Sequence, residues 1–282
     1  MMQANLPPSI ETPSGKNRDT ENFPVASFLI RPDLREHVHV FYNYARASDD
    51  IADHPLMEPA EKLRRLTRFE DILHGSAGDD MPSAVAMRED LKETGITPQH
   101  CLDLIRAFKQ DATKRRYANW QELLDYCRYS ASPVGRQVLA LHGIGEKAWE
   151  ANDALCSALQ VINHIQDCAE DYRVLDRIYL PLEDMVACGM GLNDLSREKA
   201  TPALRKVINM QLERLQPMLK TARNLPRHVP DLRLKLETSI ISALADALVK
   251  HLAKRDPLSE NPKLSKIAVV FAALQGVVRA FF

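Results

Sequence analysis

Apolar residues recur at intervals of three and four along almost the whole chain, the period of an α-helix with one buried face. Leu34, Val38, Phe41, Ala45, Ser48 and Ala52 trace one such stripe; Leu63, Leu66, Phe69 and Leu73 trace a second, and Cys101, Leu104, Ile105 and Phe108 a third. No stretch reads convincingly as a strand, and no internal repeat is visible. Proline and glycine divide the pattern into helices expected at 33–53, 61–75, 83–93, 99–113, 120–142, 147–171, 182–188, 202–225, 231–254 and 266–280. Pro133 and Gly135 fall inside the fifth of these and Pro217 inside the eighth, so kinks are expected there. Asp231 is placed to cap the helix that follows it. Ten helices with no clear linker predict an all-α protein with one domain over 22–282, after a loose Pro-, Ser- and Asn-rich segment at 1–21.

The polar positions change the picture in two of these helices. Gln160, Asn163, Asp167 and Asp171 step by three, four and four, which keeps them on one helical stripe. Val161, Ile165, Cys168 and Tyr172 follow on roughly the opposite side. A solvated face usually mixes lysine with glutamate, whereas this one offers only oxygen ligands until Arg173 and Arg177. Tyr42, Arg46, Asp49 and Asp53 repeat the design on the first helix. A single Asp-x-x-x-Asp is also compatible with an ordinary polar face. Two such helices facing one another would gather four carboxylates around a cavity. That is prohibitive without neutralisation, and with Mg²⁺ and a diphosphate it becomes a binding site.

Composition narrows the class. A net charge of −1 gives no basic field to attract nucleic acid. The five cysteines form no CxxC pair and read as reduced core residues of a cytoplasmic protein. There is no signal sequence, P-loop, GxGxxG or GxSxG, and the ExxH of Glu36 and His39 has no second copy. IAVVFAALQGVV at 267–278 is too short to span a bilayer and reads as a core helix, although with Arg279, Phe281 and Phe282 it could touch a membrane surface. KRRYANW at 114–120 reads either as a solvated surface or as a flap bringing Arg116 to a charged cavity, with Tyr117 and Tyr126 as candidate lining. The small residues of YCRYSASPVG, 126–135, mark either a widened pocket or a tight helix crossing.

ARASDDIAD, the RRY flap, YCRYSASPVG and NHIQDCAEDYRVLDRIYLP, in this order, resemble the squalene and phytoene synthase family from about residue 22 to about residue 257. The resemblance implies an isoprenoid-synthase bundle of roughly ten helices around a central cavity, working on prenyl diphosphates with Mg²⁺. By position it implies Asp49, Asp53, Asp167 and Asp171 as metal ligands, and Gln160, Asn163, Arg46, Arg116, Tyr117 and Arg177 as substrate-side residues, with Tyr126 a candidate catalytic residue. SASPVG in place of a carotenoid-type VAGxVG, and ENFPVAS near the start, are similar to the bacterial branch that forms hydroxysqualene from presqualene diphosphate in hopanoid biosynthesis. That branch implies neighbouring hopanoid-pathway enzymes as partners and peripheral contact with the inner membrane. Condensation of two farnesyl diphosphates to squalene or dehydrosqualene is the alternative. A terpene cyclase and a non-catalytic helical scaffold stand further off.

Overall fold

The computed structural model describes residues 11, 29–76, 78, 80–260 and 262–281. The described residues contain twelve α-helices: α1 (Arg35–Ala52), α2 (Pro59–Leu73), α3 (Pro82–Thr94), α4 (Gln99–Asp111), α5 (Trp120–Ser130), α6 (Ser132–Leu141), α7 (Trp149–Gln166), α8 (Cys168–Leu175), α9 (Leu182–Ala187), α10 (Pro202–Ala222), α11 (Leu232–Leu252) and α12 (Lys266–Phe281). They contain no β-strand, only an isolated parallel bridge between Arg116 and Ile178. None of the described helices is long and apolar enough to cross a membrane. The contacts divide the chain into two compact units, Met1–Lys114 and Arg115–Phe282. The expected loose segment at 1–21 and the ENFPVAS stretch lie outside the described residues, apart from Glu11. That carboxylate accepts hydrogen bonds from the backbone N–H (2.8 Å) and Oγ (2.5 Å) of Ser83, satisfying the open start of α3.

In the first unit α1–α4 bury the residues the periodicity singled out. Phe41, Leu66, Phe69, Cys101, Leu104, Ile105 and Phe108 join one hydrophobic cluster with Tyr44, Ile51 and Met87. Tyr44 packs edge-on against Phe69 with centroids 5.5 Å apart, and its hydroxyl donates to the Cys101 carbonyl. Lys62 on α2 is buried and donates to the Ala52 carbonyl at 2.8 Å, closing the end of α1.

In the second unit α7 is the central helix, packed on by α5, α6, α10 and α11. The expected 120–142 helix is two helices, broken at Ala131 (φ −121°, ψ −49°). Pro133 falls in the first turn of α6, where its missing N–H costs nothing. Gly135 marks a tight crossing: a Cβ there would lie 2.0 Å from Asn152 Oδ1 and 2.7 Å from Cys156 Sγ on α7. Likewise 147–171 is two helices with a bend at Asp167 (φ −101°, ψ 7°). These two breaks turn ten expected helices into twelve. Pro217 does not end α10, which runs through it. Asp231 caps α11 as expected, accepting from the Leu234 N–H at 2.8 Å.

The core reading of 267–278 is overturned. α12 lies on α11 through Ala272, Gly276 and Ala280, and its large side chains face outward. A Cβ at Gly276 would come within 2.6 Å of Ile240 Cα, so only the small-residue face of α12 fits that approach. The five cysteines are free, and Cys101, Cys127 and Cys168 are buried. Burial, then Asp153, pushes the Cys156 thiol up to about 12, and burial, then Asp171, does the same to Cys168. Neither is a thiolate near neutral pH, in keeping with the reading of core cysteines.

Candidate active site

In the first unit the acidic motif is held by the last two turns of α1. Arg46 Nη2 reaches Asp49 at 2.7 Å and Asp50 at 2.6 Å. Asp49 keeps 30% of its side-chain surface, yet its carboxyl is pushed well above the usual range. Burial is the main cause and the Asp53 carboxylate the next; Arg46 opposes the rise, and Asp111 and Asp50 add to it. Asp50 and Asp111 were not singled out by the motif. The spacing of Asp50 from Arg46, four residues along a helix, was a signal for the first. Asp111, 4% exposed at the end of α4, belongs to no spacing that sequence reading could use.

In the second unit the stripe survives the bend at Asp167. The Asp167 N–H still donates to the Asn163 carbonyl (2.9 Å) and the Asp171 N–H to the Asp167 carbonyl (2.8 Å). Asp167 is exposed, while Gln160, Asn163 and Asp171 are half-buried. α8 stops where Asp176 adopts a left-handed conformation (φ 51°), and the chain returns so that the Arg177 N–H meets the Asp171 carbonyl at 3.1 Å. Arg177 itself is 4% exposed.

The RRY segment is a strap pinned along 175–183 rather than a detached flap. The Ile178 N–H donates to the Arg115 carbonyl (2.9 Å) and the Leu182 N–H to the Tyr117 carbonyl (2.9 Å). The Arg115 and Arg116 guanidiniums donate to the Leu175 and Asp176 carbonyls, covering the open C-terminal end of α8, and Arg116 also pairs with the Asp176 carboxylate at 2.6 Å. Arg116 thus lies one helix end away from Asp171. Arg116→Ala is expected to lower thermal stability only slightly, since a partly exposed ion pair contributes about 0–1 kcal/mol. The loss in turnover should be the larger effect. A sharp fall in melting temperature with full activity per folded molecule would make Arg116 purely structural.

Tyr117 and Tyr126, the candidate lining residues, are buried, at 1% and 4% exposure. They pack with Tyr179 and His164 in one aromatic group, in which His164 stacks on Tyr179 with centroids 3.5 Å apart and planes 12° apart. Burial, then the charge of Arg177, brings the His164 pKa down to about 3, so the ring is neutral. A lone histidine beside Asn163 carried no sequence signal for this role.

Among the described residues, no three His, Cys, Asp or Glu gather closely enough to hold a metal by themselves. The donor set nevertheless suits Mg²⁺, which takes one or two carboxylates and completes its shell with substrate oxygens. Repulsion between Asp49 and Asp53 is what a divalent cation would relieve. A separate groove of about 670 Å³, formed by the 143–148 turn with His228 and Pro230, contains none of the motif residues.

The profile of the squalene/phytoene synthase family matches residues 16–268. The chain is 46% identical over 263 residues to the hydroxysqualene synthase of Rhodopseudomonas palustris, covering 93% of this chain and 90% of that protein. It is 44% identical over 270 residues to the hydroxysqualene synthase of Zymomonas mobilis, with the same coverage. The crystal structure of squalene synthase from Alicyclobacillus acidocaldarius superposes with a TM-score of 0.71 at 31% identity, covering 83% of this chain and 88% of that one. The all-α architecture, the two Asp-x-x-x-Asp stretches and these likenesses agree: this chain belongs to the squalene/phytoene synthase family.

Proposed function

We propose that this protein converts presqualene diphosphate to hydroxysqualene with release of diphosphate. The observation that carries the reading is the likeness to two hydroxysqualene synthases at 46% and 44% identity over nine-tenths of each chain. The family works on prenyl diphosphates and is in general metal-dependent. In the proposal residues 22–282 act as one catalytic domain. Asp49 and Asp53, and likewise Asp167 and Asp171, would hold Mg²⁺, which when bound would supply positive charge to the leaving diphosphate. Arg46, Arg116 and Arg177 add fixed charge on the diphosphate side, and Gln160 and Asn163 orient its oxygens. The C–O bond breaks and diphosphate leaves with the electron pair. The cyclopropylcarbinyl cation rearranges, a water oxygen bonds to it, and that water's second proton passes to solvent.

In the proposal the capturing water is held among buried polar atoms of the second unit. Ser130 Oγ, both ends of the Gln137 amide and His164 Nε2 are buried without a hydrogen-bond partner. Such atoms are usually satisfied by ordered water. In the proposal neutral His164 would offer an acceptor to such a water, and Tyr117, Tyr126 and Tyr179, which pack with it in one aromatic group, would stabilise the cation with their ring faces. In the proposal other hopanoid-pathway enzymes supply the presqualene diphosphate and reduce the alcohol.

A second reading, full condensation of two farnesyl diphosphates, is favoured by the likeness to a squalene synthase. One experiment separates the two. Purified protein is incubated with Mg²⁺ and either presqualene or farnesyl diphosphate, with and without NADPH, and the products are identified by mass spectrometry. An alcohol from presqualene diphosphate that is indifferent to NADPH supports the proposal. Squalene that requires NADPH contradicts it.

A further inference from the structure

Resting on the reaction proposed above and going one step beyond it, we propose that His164 decides the product: its Nε2 holds the water that captures the cation and takes that water's proton. Position brings the ring to the site. His164 lies four residues after Gln160 and three before Asp167, so it borders the stripe of amides and carboxylates carried by α7. It is 8% exposed, whereas Gln160 and Asn163 are half-buried and Asp167 is exposed. His164 is thus the inner edge of that stripe.

The ring is held in place. It stacks on Tyr179 with centroids 3.5 Å and planes 12° apart, and the Tyr126 ring closes on it at 6.0 Å. Clamped between aromatic neighbours, the imidazole keeps Nε2 aimed in one direction. That atom is buried and has no hydrogen-bond partner. A buried polar atom left open is costly, and a fold that keeps one commonly reserves it for water or for chemistry. Ser130 Oγ, one turn after Tyr126 on α5, is buried and open in the same way. It gives a water on the Tyr126 face a second polar neighbour.

Imidazole is the side chain that most often moves a proton in an enzyme, and it accepts one only while neutral. Burial, then the charge of Arg177, brings His164 down to about 3, so its lone pair stays available through the neutral range. With its proton on Nδ1 the ring presents that lone pair at Nε2. The water oxygen gives an electron pair to the cationic carbon, and the C–O bond forms as one O–H bond breaks. The proton goes to Nε2. Water bonded to a carbocation is a far stronger acid than imidazolium, so a weak base suffices. The same burial and the same arginine then drive the proton on to solvent. Without a held water, the cation loses a C–H proton to the departed diphosphate and becomes a C30 polyene. Holding the water therefore decides between alcohol and polyene.

The test runs wild type, His164→Phe and His164→Gln on presqualene diphosphate with Mg²⁺ and reads alcohol against polyene per diphosphate released. Phenylalanine keeps the stack on Tyr179 and has no acceptor. Glutamine puts an amide oxygen near the place of Nε2 and can hold a water. His164→Phe should lower the alcohol-to-polyene ratio at least about tenfold, a modest share of the roughly hundredfold or more that a positioned proton acceptor contributes. His164→Gln should restore part of the alcohol. His164→Leu, which also lacks an acceptor and needs less room, should repeat the loss. A purely structural role would move melting temperature and rate and leave the ratio alone. A wild-type ratio in His164→Phe overturns the proposal. So do equal ratios in His164→Phe and His164→Gln, because the acceptor would then not matter. In both cases a wild type that makes alcohol leaves the reaction standing; a wild type that makes none removes the reaction and this role together.

Discussion

Replacing Asp49 or Asp171 by alanine is expected to lower turnover at least about a hundredfold while leaving a folded helical protein. A metal contact to a departing group is worth several kcal/mol, and each 1.4 kcal/mol or so is a factor of ten in rate. Neither side chain holds up the core: Asp49 is 30% accessible and Asp171 half-buried. For Asp49 the fold should even gain. Its pKa is raised by burial first and by Asp53 second, so the folded state binds this proton more tightly than the unfolded chain does. Below the ordinary value of 3.8 the carboxyl is neutral in both states and costs nothing. As pH rises from there through the raised folded value, ionisation increasingly favours unfolding. Asp49→Asn should therefore melt above wild type at neutral pH in metal-free buffer, with the advantage vanishing on acidification. Kinetics and melting curves check both halves. Wild-type turnover in either alanine variant would remove the residue from the metal site.

The second large effect is structural. Gly135→Val should lower stability by about 3 kcal/mol, the upper end for overpacking a core, with loss of a hydrogen bond included. The added Cβ would sit 2.0 Å from Asn152 Oδ1. Asn152 is 2% exposed, and its amide donates to the Ser132 carbonyl at the start of α6. It cannot swing aside without leaving that carbonyl open. Melting temperature should fall by several degrees, whereas Val134→Ser, at an adjacent position 41% exposed, should shift it little. A Gly135→Val protein that melts with wild type would mean that α6 and α7 do not cross as closely as described.

What sequence reading could and could not see follows from the range of the forces involved. The seams of α1, α2 and α4 were legible because a buried stripe repeats with the helical period whatever the partner is. The Asp231 cap was legible because capping is local. The breaks at Ala131 and Asp167 were not: proline suggested the first, yet Pro133 merely starts a helix whose break lies two residues earlier. The sense of α12 was invisible because its composition is that of a core helix. Only Gly276 against Ile240 and Arg279 against Asp246 decide which face turns in. The paired aspartates were legible as residues, but the approach of Asp111 to Asp49 and the stacking of His164 on Tyr179 depend on chain segments far apart in sequence.

In the proposed reaction a carbocation formed from presqualene diphosphate is captured by water. The most direct measurement is the mass of the product made from presqualene diphosphate and Mg²⁺ in H₂¹⁸O. The product should be a C30 alcohol heavier by about two mass units than that made in ordinary water, with one oxygen drawn from solvent as cation capture requires. An unlabelled alcohol, or a C30 polyene without oxygen as the main product, would contradict it.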